Sequence, residues 1–168
     1  MKNLYKIFFI ITVISTILLV YVVYQDKSFK SNPLSSKIQN SIKEKKYHLK
    51  QLAYQKYKIK IDIPIIISAK LPNNLFGLAS YEFKAGGKDN IKIYLNRNRF
   101  QESSEYMVDY VLPHEYAHAL MFIFNKFPKQ NAGHTKQWQK ICLNLEGKKC
   151  DRFVKHNDIM MGKLDFLY

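Results

Sequence analysis

Cysteine is scarce in this chain of 168 residues, which has only Cys142 and Cys150. They do not form a Cys-x-x-Cys pair and no second pair exists, which excludes a structural zinc ribbon. Their spacing suits either two unrelated thiols or one disulfide between a helix end and the following loop. A disulfide is chemically sensible only in an oxidising compartment. Acidic residues are also few, 13 against 27 Lys and Arg, for a formal charge of +14. That excess favours polyanions such as anionic lipid, nucleic acid or acidic cell-wall polymer, without choosing among them. The lysines are spread along the chain rather than gathered into one groove-like motif, so nucleic acid is not the favoured partner. Internal repeats and low-complexity segments are absent. An apolar fraction of 47% excludes wholesale disorder.

Ile7 to Tyr24 is an 18-residue apolar run broken only by Thr12, Ser15 and Thr16. As a helix it would span about 27 Å, close to the hydrocarbon thickness of a bilayer. Tyr5, Tyr21 and Tyr24 sit at its ends, where amphipathic rings settle at an interface. The exit Tyr-Val-Val-Tyr-Gln-Asp-Lys lacks a small-x-small cleavage pattern, which favours a retained anchor over a cleaved signal peptide. Lysines flank both ends, Lys2 and Lys6 against Lys27, Lys30 and Lys37, and pull the orientation in opposite senses. The possible disulfide tips the balance toward a domain outside the cytoplasm. The expected organisation is an anchor over 1–25, a linker over 26–32 and one domain over 33–168, in a single-pass protein of a bacterial inner membrane.

Beyond the linker, Asn32 and Pro33 read as an N-cap and first helical position. Leu34, Ile38, Ile42, Leu49, Leu52 and Ala53 then recur at helical spacing and predict a helix over 33–57. Within it, the Lys43–Lys46 cluster reads as a solvated face. The period changes to two at Ile59, Ile61 and Ile63, and an extended apolar run continues to Ile67. Further strands are predicted at 78–83 and 91–95, joined as a hairpin through Gly86-Gly87-Lys88-Asp89. Helical spacing returns from Ser103 to Phe124, with a kink or restart at Pro113. A last helix is predicted from His134 to Leu145, with Gly147 as its C-cap. The fold class is α+β: an N-terminal transmembrane helix, a helix, a small antiparallel sheet of about three strands, and two helices.

His114 and His118 are four residues apart, so on a helix they differ by roughly 40° and can share one zinc ion. Glu115, rotated by about 100° from His114, lies beside the metal without being a ligand. There it can take a proton from a polarised water and pass it to a leaving amine. His-Glu-x-x-His also arises by chance, but a strongly apolar helix has no cheap place for two histidines and a glutamate. A catalytic zinc site needs a third protein ligand. The metzincin spacing is missing, because positions 121 and 124 are Met and Phe. Candidates downstream are His134, His156, Glu146, Asp151, Asp158 and Asp165. His134 is favoured over Glu146, because it follows Gly133 after a polar turn that can reverse the chain.

Val111-Leu112-Pro113-His114-Glu115-Tyr116-Ala117-His118-Ala119-Leu120, followed by Gly133-His134-Thr135-Lys136-Gln137-Trp138, resembles the SprT-like zinc metallopeptidases. The resemblance implies a zincin-like fold, with His114, His118 and His134 as ligands of one Zn2+ and Glu115 as catalytic base. It implies Trp138 as a packing residue behind the third ligand. Ile91 to Asn96 is similar to the family's strand end before the catalytic helix. Leu145-Glu146-Gly147, Cys150, Arg152 and His156 are similar to its tail, where His156 is a candidate substrate contact. Two departures stand out. Many members carry a four-cysteine ribbon that this sequence cannot form, and the best-known act in the nucleus or cytosol on DNA-bound proteins, whereas this chain is expected to begin with a membrane anchor.

These readings make the chain a membrane-anchored zinc endopeptidase, acting on a protein or peptide laid along the edge of the sheet. The alternative from another class is a non-catalytic, zinc-stabilised basic module that binds a polyanion or protein at the membrane. Glu115 separates the two, since a bracing metal site has no need of a base.

Overall fold

The computed structural model describes residues 2–84, 87–126 and 133–153. The chain divides into two compact units, Met1–Leu34 and Ser35–Tyr168. The first contains α1, Lys2–Ser31. Its stretch Leu4–Ser31 is long and apolar enough to cross a membrane, a property it shares with signal sequences. The apolar side chains from Leu4 to Tyr24 are exposed. The segment 26–31, expected as linker, continues the helix. The i,i+4 pair of Lys30 with Asp26, at 2.7 Å, supports it there.

In the second unit α2 spans Ser36–Tyr57. The helix starts three residues later than the Asn-Pro signal suggested. Ser35 is the N-cap, its hydroxyl accepting from the Ile38 N–H, and Pro33 lies outside the helix. Ile42, Leu49, Leu52 and Ala53 form the buried stripe that the periodicity predicted. Strands β1 (Ile65–Ser68), β2 (Gly77–Lys84) and β3 (Gly87–Asn96) form one sheet in the order β1-β3-β2. The turn expected between the last two strands lies partly outside the described residues.

The sheet is mixed, not antiparallel throughout. β2 pairs antiparallel with β3, but β1 runs parallel to β3. The cause is the crossing of residues 69–76. This loop passes over the end of β3 from one side to the other, so β2 descends on the far side and β3 returns between the two. Ile93 and Leu95 of that central strand are fully buried. The crossing loop is tied to the same strand end by Asn96, which is also fully buried. Asn96 Nδ2 donates to the carbonyls of Pro72, at 3.1 Å, and Leu75, at 2.7 Å. Its Oδ1 accepts from Asn98 N–H.

After a 3-10 turn over Arg97–Gln101, the short α3 (Ser104–Tyr106) leads through a π turn (Met107–Val111) into α4, Leu112–Ile123. The helix neither breaks nor restarts at Pro113. The Leu112 N–H reaches back five residues to Met107 O. That wider turn accommodates a proline ring, which would crowd the carbonyl four residues behind it in a regular helix. All of α4 except His114 and Ile123 is buried. A helix apolar nearly all round is a core helix, and α4 packs against β2, β3, α2 and α5.

Helix α5 spans Lys136–Asn144, capped by Thr135, whose hydroxyl accepts from Trp138 N–H. It starts two residues after His134, which leaves that histidine on the preceding turn. At the other end Glu146, with φ 58°, takes the left-handed position expected of Gly147. Gly147 N–H closes the turn on Cys142 O at 3.0 Å. Cys142 and Cys150 form a disulfide.

Candidate metal centre

Position and spacing put Val111, His114, Glu115, His118 and Phe122 on one face of the helical segment, and this face floors a cleft of about 560 Å³. Leu75 to Ala79, at the start of β2, form one wall of the cleft. Lys149, Asp151, Arg152 and Phe153 line it as well.

The third histidine arrives from a different direction. Gly133 has φ 80°, a left-handed conformation that suits glycine, and Thr135 N–H donates back to Gly133 O at 2.9 Å. This tight turn swings His134 over the helical pair. His134 Nε2 lies 3.0 Å from His114 Nε2 and 3.1 Å from His118 Nε2. One nitrogen of each ring falls within 4.8 Å of the others, a grouping that can hold one metal ion. Burial, then the nearby His134 charge, pushes His114 down to about 3. Burial, then His114 and His134, pushes His118 down to about 2. Both rings are therefore neutral at pH 7, the form that binds a metal. Three ring nitrogens converging on one point fit a borderline divalent ion such as zinc.

Trp138 packs behind the cluster and is itself almost fully buried. Its ring centroid lies 4.6 Å from that of His114, 5.0 Å from His118 and 4.5 Å from His134. It therefore backs all three rings, where the sequence suggested a role behind the third alone.

Glu115 is buried next to the cluster, and its Oε2 accepts the Ala79 N–H at 2.9 Å. Burial pushes its carboxyl up to about 8, against the opposing pull of that backbone hydrogen bond. Gly77 is the residue that gives it room. A β-carbon there would meet Glu115 Cγ at 2.7 Å and Val111 Cγ1 at 2.9 Å. Nothing local in the sequence marks Gly77 or Ala79 as part of this site, because both act through contacts with a helix more than thirty residues away.

Of the other ligand candidates, Glu146 is turned away from the cluster. It is exposed and pairs with His48 at 2.8 Å. Asp151 lines the cleft. His156, Asp158 and Asp165 lie outside the described residues.

An α+β unit that lays a His-x-x-x-His helix against the edge of a small sheet, and adds a third histidine from the next turn, has a zincin-like arrangement. The chain belongs to the SprT-like family, whose model matches residues 39–156, and that family is zinc metallopeptidase-like. No curated protein and no solved structure gives a significant match.

Proposed function

We propose that the protein is a membrane-tethered zinc endopeptidase in which Glu115 moves the protons. The observation that carries the reading is the convergence of three histidine ring nitrogens beside a buried glutamate carboxyl. His114, His118 and His134 would hold one Zn2+. When bound, the ion supplies Lewis acidity toward water and the scissile carbonyl. Glu115 Oε2 is occupied by the Ala79 N–H. Oε1 is then the atom that takes a proton from the attacking water and delivers it to the departing amine nitrogen.

Backbone groups along an antiparallel ladder alternate between partner and free edge. Phe76 O accepts Asn96 N–H inside the sheet, whereas Ala79 N–H turns outward to Glu115. Gly77 and Ala79 thus present their backbone to the cleft, which suits a polypeptide docking as an added strand. The apolar α1 serves as a retained anchor in this reading. The Cys142–Cys150 disulfide supports a domain on the oxidising side of the membrane.

The test uses the full chain purified in detergent. One zinc per chain and cleavage of casein are expected, with cleavage abolished in Glu115→Gln. Absence of stoichiometric zinc, or casein cleavage by Glu115→Gln at the wild-type rate, would overturn the proposal. A reporter fused to the C-terminus reads the orientation, and activity of a cytoplasm-only reporter would reverse the topology.

A further inference from the structure

We infer that the Cys142–Cys150 disulfide holds one wall of the substrate cleft, so that both cysteines are positioning residues and substrate binding is sensitive to reduction. The inference rests on the peptidase reading above. Lys149, Asp151, Arg152 and Phe153 line the cleft together with the β2 edge and the α4 face. Cys150 sits between two of these lining residues and is itself buried, its sulfur bonded to Cys142 in α5. In this strap, residues 149–153, Lys149 and Asp151 line the cleft on either side of the buried Cys150.

The turn before the strap is shaped around the same bond. A β-carbon on Gly147 would lie 2.7 Å from Cys142 Sγ and 3.0 Å from Cys150 Sγ. The only residue type that fits against the sulfurs is therefore glycine. At the strap's entry Lys148 reaches Asp109 at 3.3 Å and lies over the Tyr110 ring, but its side chain is 45% exposed. Such a contact is a weak tether in water. The covalent bond is the strong one.

Its other end is equally informative. Cys142 stands one helical turn beyond Trp138, and both are buried. The disulfide thus ties the strap to the helix that backs the three histidines, without involving a histidine. Opening it should release the wall and spare the metal. With a phosphine reductant the step is balanced. The S–S bond breaks, water supplies the oxygen that converts phosphine to phosphine oxide, and its two protons leave both sulfurs as thiols.

The test uses full-length Glu115→Gln in detergent, loaded with zinc, and fluorescein-labelled casein as an unfolded probe. Reduction by tris(2-carboxyethyl)phosphine is followed by thiol titration. Affinity is expected to weaken about tenfold on reduction while bound zinc and far-UV circular dichroism stay constant. In the wild-type background the same treatment raises KM and leaves kcat within about threefold. A Cys142→Ala/Cys150→Ala chain should bind like the reduced form and ignore the reductant. If that variant does not fold, Arg152→Ala/Phe153→Ala, which leaves the disulfide intact, should weaken casein binding severalfold.

An oxidised form that binds casein no tighter than the reduced form overturns the inference. So do two free thiols in the untreated protein, or loss of zinc in step with affinity. If casein binds in the redox-dependent way but wild type never cleaves it, the peptidase reading fails and the role of the wall stands.

Discussion

Gly77 and Glu115 touch through an absent side chain: a β-carbon at position 77 would stand 2.7 Å from Glu115 Cγ and 3.0 Å from its Oε1. The edge strand and the helix of the histidine pair are thus fitted to each other at the carboxyl group to which we assign the proton transfer. The same strand then holds the other carboxylate oxygen through Ala79 N–H at 2.9 Å. One short stretch of β2 therefore fixes the Glu115 carboxyl at two points.

Gly77→Ala tests that fit. The added methyl has to displace Glu115 or Val111, and overpacking of this kind costs about 1–3 kcal/mol. A small misplacement of a proton-transfer group costs roughly 100-fold in rate. The expected outcome is a fall of about that size in kcat/KM for casein, with zinc content unchanged. A variant as active as wild type would show that Glu115 relaxes freely.

Glu115→Gln separates chemistry from stability. Loss of the base should lower kcat by roughly 10²–10⁴-fold. The amide oxygen can still accept from Ala79 N–H, so the fold is retained. Burial raises the Glu115 carboxyl from 4.5 to about 8. A raised pKa means the folded state keeps a proton that the unfolded chain releases. Its favourable contribution is fully present below about pH 4.5 and is lost as pH rises through about 8. Metal-free wild type should therefore lose thermal stability across that window relative to Glu115→Gln, as melting curves at several pH values would read. Parallel pH profiles would show that the carboxyl is solvated.

Trp138 and His134 make a paired case for the metal centre. His134→Ala removes one of three convergent nitrogens and should leave the chain unable to hold zinc against a fluorescent chelator. Trp138→Phe keeps all three ligands but shrinks the ring that all of them pack on. Residues that orient ligands from behind commonly cost 10–100-fold in metal affinity. A loss of about tenfold is expected, with the circular dichroism spectrum retained. Unchanged affinity would reduce the indole to core filling.

What the sequence made legible was what short range decides. The i,i+4 histidines, the glutamate between them, the apolar helical face and the strand period are all properties of adjacent residues. His134 was also readable as a partner of the pair, since Gly133 and the polar residues before it suggested a reversal of the chain. The parallel pairing of β1 with β3 was not, because strand direction depends on where residues 69–76 cross. Pro113 announced a disturbance without its form, because a π turn and a kink answer the same steric clash. Ser35 displaced Asn32 as the α2 cap because both are good caps and only the hydroxyl-to-Ile38 contact distinguishes them. Gly77 and Ala79 carried no local signal, since their partner Glu115 lies 36 residues beyond Ala79.

Asn96 links the sheet to the cleft and gives the last prediction. Its side-chain amide donates to two carbonyls of the loop leading into β2, and its oxygen accepts from Asn98 N–H. Asn96→Ala removes these three hydrogen bonds, each contributing about 0.5–1.5 kcal/mol, and frees the loop that carries Leu75 and Phe76 into the cleft wall. Asn96→Asp is the sharper variant, since shape is kept while a carboxylate is set against two carbonyl oxygens in a fully buried site. At neutral pH Asn96→Asp should be the less stable of the two. Repulsion and burial raise the folded-state pKa of such an acid, so its deficit should shrink as pH falls and the acid binds a proton, whereas the Ala variant should show no such recovery. Melting temperatures of both variants between pH 7 and pH 4 decide it, and an Asp variant that tracks Ala at every pH would mean the loop simply moves away from the strand end.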